Sequence, residues 1–365
     1  MKKGIIILLA VFIVSFLFVS CKSTTTETTV AEATTEAVIS ATETTVAETT
    51  AKKELTTVIW GLESFLTALP HLAARELGYF EEEGVDIQFR FTSMGWQTLD
   101  QIIGQDVDMG MAANWALVCR MGQPNLGCGG LAFDYNVPVA LMVSKDIEKL
   151  SDLKGKKLAA ITGSLWDYFS AKALSAGGLT GADVTICNFD SPVDYLSAAV
   201  RKDIDAGWFF EINLIKAKEI LGPLGWHPLV TGEDVVPGAA KGWSTLPLSL
   251  KAAAEKPEAI AGAIKAYKRG ADWIKGNPEE AAKLASKLMG MSVEDAAIMI
   301  PYYGFTVGIT KLAIEKMVDM KEEAIKAGII TEIMDYDIYK KFVLGPVKLV
   351  FPEMIEEGVM ELINQ

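Results

Sequence analysis

Arg-Lys-Asp-Ile-Asp-Ala-Gly-Trp-Phe-Phe-Glu, residues 201–211, decides the fold because residues 105–114, Gln-Asp-Val-Asp-Met-Gly-Met-Ala-Ala-Asn, echo it earlier in the chain. Each copy follows an amphipathic, helix-like run and has the form Asp-(Val/Ile)-Asp-x-Gly. Each then passes into small or aromatic residues, with a polar side chain, Asn114 or Glu211, where a strand would end. In an open α/β sheet, ligands sit beyond the carboxyl ends of strands. Two such motifs therefore predict two similar α/β halves, each aiming a strand end at a shared cleft. Taken singly, Asp-x-Asp-x-Gly is ordinary turn-into-strand punctuation; the rest of the chain lifts it above that.

Upstream of the first motif, Thr57 to Trp60 and Val85 to Phe91 read as strands. A helix face of Leu69, Leu72, Ala73 and Leu77 lies between them, with Pro70 near its start. With the helix Thr98 to Gly104 and the strand Val107 to Met111, the order is β-α-β-α-β, hence a parallel sheet covered by helices. Between the motifs, Pro138 to Ser144 is a buried apolar strand, followed by the strand Lys157 to Ile161 and the helix Leu165 to Ala176. The strand Val184 to Asn188 and a helix opened by Ser191-Pro192 lead into the second motif's strand, Ala206 to Phe209. From Lys256 onward the pattern is helical, with capping signatures at Asn277-Pro-Glu-Glu and Ser292-Val-Glu-Asp; Met289, Met299 and Met317 read as core filler.

The N-terminus sets the compartment. Lys2 and Lys3 precede an apolar run, Ile5 to Val19, that is short for a bilayer span and reads as a secretory signal over residues 1–20. Cys21, directly after it, sits where a bacterial lipobox places its lipidated cysteine, although Phe18 stands where that motif has Leu. Residues 21–54 are rich in Thr, Glu and Ala, lack aromatics and cannot bury enough surface to fold, so they read as a flexible tether. Of 365 residues, 50% are hydrophobic, enough to core about two domains. The 47 acidic residues against 34 basic ones, net −13, argue against nucleic acid as a partner. Cys119, Cys128 and Cys187 form an odd set in which one disulfide, Cys119 with Cys128, is conceivable.

Ala-Arg-Glu-Leu-Gly-Tyr-Phe-Glu-Glu-Glu-Gly-Val-Asp (74–86), Leu-Lys-Gly-Lys-Lys-Leu-Ala (153–159), Gly163-Ser164 and Asp-Ala-Gly-Trp (205–208) form an ordered series. It resembles the substrate-binding proteins of ABC importers, in the branch for nitrate, sulfonates, taurine and thiamine-pyrimidine precursors. The resemblance implies a two-lobed type II periplasmic binding protein fold of α/β class, each lobe a mostly parallel sheet flanked by helices, with two crossover segments. By that analogy lobe 1 comprises 55–142 and 243–365, and lobe 2 comprises 143–242. A cysteine-dense motif that marks the family's pyrimidine-forming enzyme is absent from the sequence, so that activity is not implied.

Nucleophilic and metal chemistry find little support. His71 and His227 are the only histidines, no metal or cofactor motif occurs, and Gly-x-Ser-x-Gly, His-Glu-x-x-His and P-loop patterns are absent. Tryptophan placement is the unusual feature. Trp60, Trp96, Trp115, Trp166, Trp208 and Trp243 all fall at or just past expected strand ends, where flat rings can sandwich an aromatic solute or hold a cation; Trp60 is expected in the core. The expected ligand-binding set is Ser64, Phe65, Trp96, Asn114, Trp115, Ser164, Trp166, Asp190, Trp208, Glu211 and Trp243. Ser164 opens a helix and offers an anion seat, but Arg120 is the only arginine near the expected cleft. Asp190 and Glu211 favour a neutral or cationic nitrogen compound, pyrimidine-like, heteroaromatic or amine, over a sulfonate, taurine or nitrate anion. The expected function is an exported, lipid-anchored, non-enzymatic solute receptor that serves a membrane permease and its ATPase. An enzyme using Glu211 or Asp190 as acid or base, and an adhesin that kept the fold without the ligand, are the readings from other classes.

Overall fold

A computed structural model describes residues 54–135, 138–236, 242–326, 330 and 336–364, apart from the side chains of 133–135 and 242–243. The signal, Cys21 and all of the tether but its last residue lie outside them. Every described residue belongs to one unit, 52–365.

In chain order the strands are β1 (Thr56–Glu63), β2 (Val85–Thr92), β3 (Met109–Gly110), β4 (Ala112–Ala113), β5 (Leu126–Tyr135) and β6 (Val139–Val143). They continue with β7 (Lys157–Ala160), β8 (Thr185–Asn188), β9 (Ala206–Phe210), β10 (His227–Thr231), β11 (Gly242–Ser249) and β12 (Tyr303–Gly308). Two sheets result. The first has the order β12-β5-β11-β3-β1-β2, with β4 beside β11; the second has the order β10-β6-β9-β7-β8. The chain passes from the first sheet to the second between β5 and β6 and returns between β10 and β11, which gives two lobes joined by two crossings.

The echoed motifs do the same structural work in each lobe. Gln105 and Lys202, which follow the helices Gly95–Ile103 and Pro192–Val200, both take left-handed backbone, at φ 66° and 62°. The next residues close the helix ends, Asp106 N–H donating to Gln101 O and Asp203 N–H to Ala198 O, both at 2.9 Å. Asp108 then accepts from Ile59 N–H at 2.7 Å, and Asp205 accepts from Lys157 N–H at 2.8 Å. Each aspartate so pins its strand to the neighbouring parallel one, β3 to β1 and β9 to β7. Gly110 is required because a Cβ there would lie 2.3 Å from the Thr98 methyl.

The parallel triplets β2-β1-β3 and β8-β7-β9 match the sequence reading. Antiparallel pairing is more extensive than a mostly parallel sheet implies: β11 runs antiparallel to β3, β4 and β5, β12 to β5, and β6 to both β9 and β10. Each of these pairs includes a strand next to a crossing, β5, β6, β10 or β11, where the chain doubles back between lobes. The C-terminal helices cover the first sheet. The helix Pro257–Gly276 packs closely on Leu69–Glu76, since a Cβ at Gly270 would meet Pro70 O at 2.2 Å. Trp60, His71 and Tyr267 cluster in that core, with His71 centred 4.5 Å from each of the other two rings, edge-on to Trp60 and tilted against Tyr267. Met299 and Met317 are buried and Met289 partly so. The conceivable pairing of Cys119 with Cys128 is not made: both thiols are free and buried, and Cys187 is free as well. Among the described residues, no helix is long and apolar enough to cross a membrane.

Candidate functional site

Strand ends of both sheets converge on one cavity of about 70 Å³. From the first lobe come Glu63 at the end of β1, Phe65 in the loop beyond it, Trp96 at the start of the helix Gly95–Ile103, Ala113 and Ser244. From the second come Val139, Ser164 and Trp166 at the start of the helix Leu165–Ala176, and Phe210 and Glu211 where β9 gives way to a helix. The carboxyl-end rule for α/β sheets thus holds in both lobes at once.

Aromatic rings form much of the lining. Phe210 is met edge-on by Phe65 at 5.7 Å and by Trp166 at 4.7 Å between centroids. Trp166 is fixed by donating its indole N–H to the Trp208 carbonyl at 2.7 Å, an acceptor also used by the Tyr195 hydroxyl. The buried Trp96 Nε1 has no hydrogen-bond partner. Its ring lies 5.6 Å below the Arg120 guanidinium, which is itself paired to Asp100 at 2.9 Å.

Two carboxyls form the polar side. Glu211 is buried, and its backbone sits in the left-handed region at φ 52°, an uncommon and costly conformation for a side chain of this kind. The Tyr303 hydroxyl, from β12 of the first lobe, donates to Glu211 Oε1, and Glu211 N–H donates to Pro138 O at 3.2 Å. Burial pushes the Glu211 carboxyl up to about 7. Glu63 keeps some exposed surface but lies against Gly95, where a Cβ would meet its Oε1 at 2.1 Å. Removal from bulk water, and then the charge of Glu211, push Glu63 up to about 8. Among the described residues, no lysine, arginine or histidine pairs with either carboxyl.

The anion seat expected at Ser164 is already engaged. Its hydroxyl donates to Ile161 O at 2.5 Å and accepts from Trp166 N–H at 3.3 Å, while Asp167 accepts from Gly163 N–H at 2.5 Å. The helix start therefore faces a carboxyl of its own chain, which burial raises to about 6.

Of the expected set, Phe65, Trp96, Ser164, Trp166 and Glu211 are brought together. Trp115 and Trp208 are instead sealed in the core, stacked on Tyr168 and Phe169 at 5.0 and 5.2 Å. Indoles this large fill the layer beneath the cavity floor. Asn114 is buried at the first position of a short helix, its Oδ1 turned back on its own chain to accept from Trp115 N–H at 2.9 Å. Ser64 and Asp190 are exposed and line no part of the cavity. The side chain of Trp243 lies outside the described residues. Glu63 was missed because β1 was expected to stop near Trp60. It runs to Glu63, so the rule that singled out Glu211, a polar residue at a strand end, applies equally there.

Residues 66–281 match the family described as NMT1/THI5 like. A protein of Brucella abortus named as a binding protein is 26% identical over 238 residues, which is 63% of this chain and 68% of that one. Among solved structures, the periplasmic aliphatic sulphonate binding protein SsuA from Escherichia coli superposes with a TM-score of 0.65 at 16% identity, over 79% of this chain and 92% of that chain. The periplasmic nitrate-binding protein NrtA from Synechocystis gives 0.62 at 14% identity, over 85% and 91%. The fold is therefore the two-lobed type II periplasmic binding protein fold and, since the family match spans more than half of the sequence, the chain belongs to the NMT1/THI5-like family.

Proposed function

We propose that this chain is the extracytoplasmic solute-binding component of an ABC import system, closing on a small organic nitrogen compound and presenting it to a permease and its ATPase. One observation carries the reading: a cavity between the lobes is lined by aromatic rings and by two carboxyls that, among the described residues, have no cationic partner. Rings at this spacing grip a flat or cationic solute by roughly 0.5–2 kcal/mol per contact. The relatives named as sulphonate- and nitrate-binding share the fold, but an anion here would face Glu63 and Glu211. One such like-charge contact at 4 Å costs roughly 4 kcal/mol at an effective dielectric of 20. A heteroaromatic amine or pyrimidine-like compound, of which thiamine precursors are examples, meets no such opposition.

Export and anchoring through lipidated Cys21 belong to the same proposal. Replacing Cys21 by Ala should move the protein from the membrane to the soluble fraction. The decisive experiment is native mass spectrometry of full-length protein purified from its own host. A co-purified small nitrogenous mass, released intact on unfolding, supports a receptor. A chemically altered solute supports catalysis by the near-neutral carboxyls instead, and a protein that takes up nothing and never changes shape sinks the receptor reading.

A further inference from the structure

Glu63 and Glu211 reach the cavity from different lobes, and this arrangement has a consequence for what enters between them. We propose that the solute carries a protonated nitrogen that seats between Glu63 of the first lobe and Glu211 of the second, and that its entry expels a proton which the two carboxyls hold in the ligand-free protein. The inference rests on the receptor reading and deepens it by naming the charge of the solute and the ion it is exchanged for.

The geometry supplies the argument. Both carboxyls line one cavity whose other walls are largely apolar, so water is a poor source of compensation for two negative charges. Like charges that share a dry site cannot both ionise cheaply, and one takes up a proton. Among the described residues no cation offsets this, although the Gly95 backbone hydrogen-bonds Glu63. From β12, Tyr303 offers a hydroxyl that donates to Glu211; it is a hydrogen-bond donor but not a cation. Arg120, behind Trp96, is paired to Asp100, and Asp167, behind Ser164, is a third carboxyl engaged by Gly163 N–H. The left-handed backbone at Glu211 and the Gly95 backbone hydrogen bond to Glu63 keep the two carboxyls at the cavity.

Proton and charge then balance simply. The ligand-free pair, one carboxylic acid and one carboxylate, meets an ammonium or amidinium ion; the acid O–H bond breaks, its proton leaves to solvent, and two carboxylates remain around the cation. The raised values at the two sites place this exchange near neutral pH. The same pair couples chemistry to shape, because uncompensated repulsion between the lobes opposes closure and an intervening cation removes it.

The test uses full-length protein and named probes. Benzamidine and benzylamine serve as aromatic cations, benzamide and benzyl alcohol as their neutral counterparts, and benzenesulfonate as the anion. Titration calorimetry at pH 7 in two buffers of different ionisation enthalpy counts released protons, and infrared spectroscopy of ligand-free protein looks for the carbonyl stretch of a protonated buried carboxyl. The expected result is binding of a cation with net proton release, a carboxylic-acid band that weakens in Glu63→Gln, and at least tenfold weaker cation binding in Glu63→Gln and Glu211→Gln. Tyr303→Phe, which keeps both carboxyls, should retain proton release. Cation binding without proton release, absence of the acid band near pH 7, or binding of none of the cations overturns the inference. If benzamide or benzenesulfonate binds and shifts tryptophan emission while the cations do not, the receptor reading stands and this inference alone falls.

Discussion

Asp108 and Asp205 lie in different sheets, yet each takes the backbone N–H of the adjacent strand onto its carboxylate Oδ2 and returns its own N–H to the carbonyl of the same residue, Ile59 or Lys157. They differ in one respect. Asp108 also receives Lys256 Nζ at 2.7 Å, whereas no cation is bonded to Asp205 among the described residues. The first pin is therefore part of a charge-assisted network and the second is a lone side-chain-to-backbone bond.

Removing these acceptors should separate the two lobes energetically. Asp205→Ala should cost about 1 kcal/mol, an ordinary hydrogen bond, and Asp108→Ala about 1.5–3 kcal/mol, because a charged partner loses its acceptor. Urea unfolding of the two variants checks the ranking. At the positions that open each motif, Gln105→Gly and Lys202→Gly should be neutral or stabilising by up to about 1 kcal/mol, since glycine adopts left-handed backbone without a Cβ penalty.

The carboxyl pair predicts an inverted pH dependence for the ligand-free protein. Both groups have folded values above the ordinary carboxylate range, so between about pH 4.5 and 8 the folded state binds more protons than the unfolded one. Stability contributed here is present at low pH and falls as pH rises through that window. The slope reaches at most about 1.4 kcal/mol per pH unit for each group. Relative to Glu63→Gln, wild-type protein should lose melting temperature from pH 5 to pH 8; a difference that is flat with pH contradicts the assignment.

His71 predicts the opposite trend at acid pH. Burial between Trp60 and Tyr267 drives its value down to about 3, so it stays neutral in the fold while the unfolded chain titrates near 6.5. Its contribution is complete above pH 6.5 and is lost as pH falls towards 3. His71→Phe should remove that loss, so the variant's melting temperature should rise relative to wild type as pH falls.

Binding and folding should separate among the tryptophans. Trp166→Ala and Phe210→Ala are expected to weaken solute binding by about tenfold each, the upper part of what one aromatic contact supplies. Trp208→Phe should instead lower stability with little change in affinity, because it acts on the site only through the backbone carbonyl that holds Trp166. Parallel calorimetry and urea titration of the solute identified from the host distinguish the two effects.

Much of this architecture was legible because local and global signals agree. The helix Leu165–Ala176 is found where apolar spacing and the Ser164 cap place it, and the echoed aspartates mark equivalent strand pins. β5 escaped notice because Leu-Gly-Cys-Gly-Gly-Leu has little intrinsic strand preference, and its pairing is imposed by β11 and β12 on either side. Depth was the other blind spot. A strand end predicts that a residue lies near the cleft, but not whether it lines the cavity, as Trp166 does, or sits one layer below, as Trp208 does.

That layering gives the molecule an optical property. Trp96 and Trp166 touch the cavity from opposite lobes, while Trp60, Trp115 and Trp208 emit from interiors that solvent does not reach. Replacing one cavity indole by phenylalanine, with Trp226, Trp243 and Trp273 also replaced, leaves the other as a native reporter for its own lobe. Domain closure can then be followed in unlabelled protein, one side at a time, against the emission of the buried indoles.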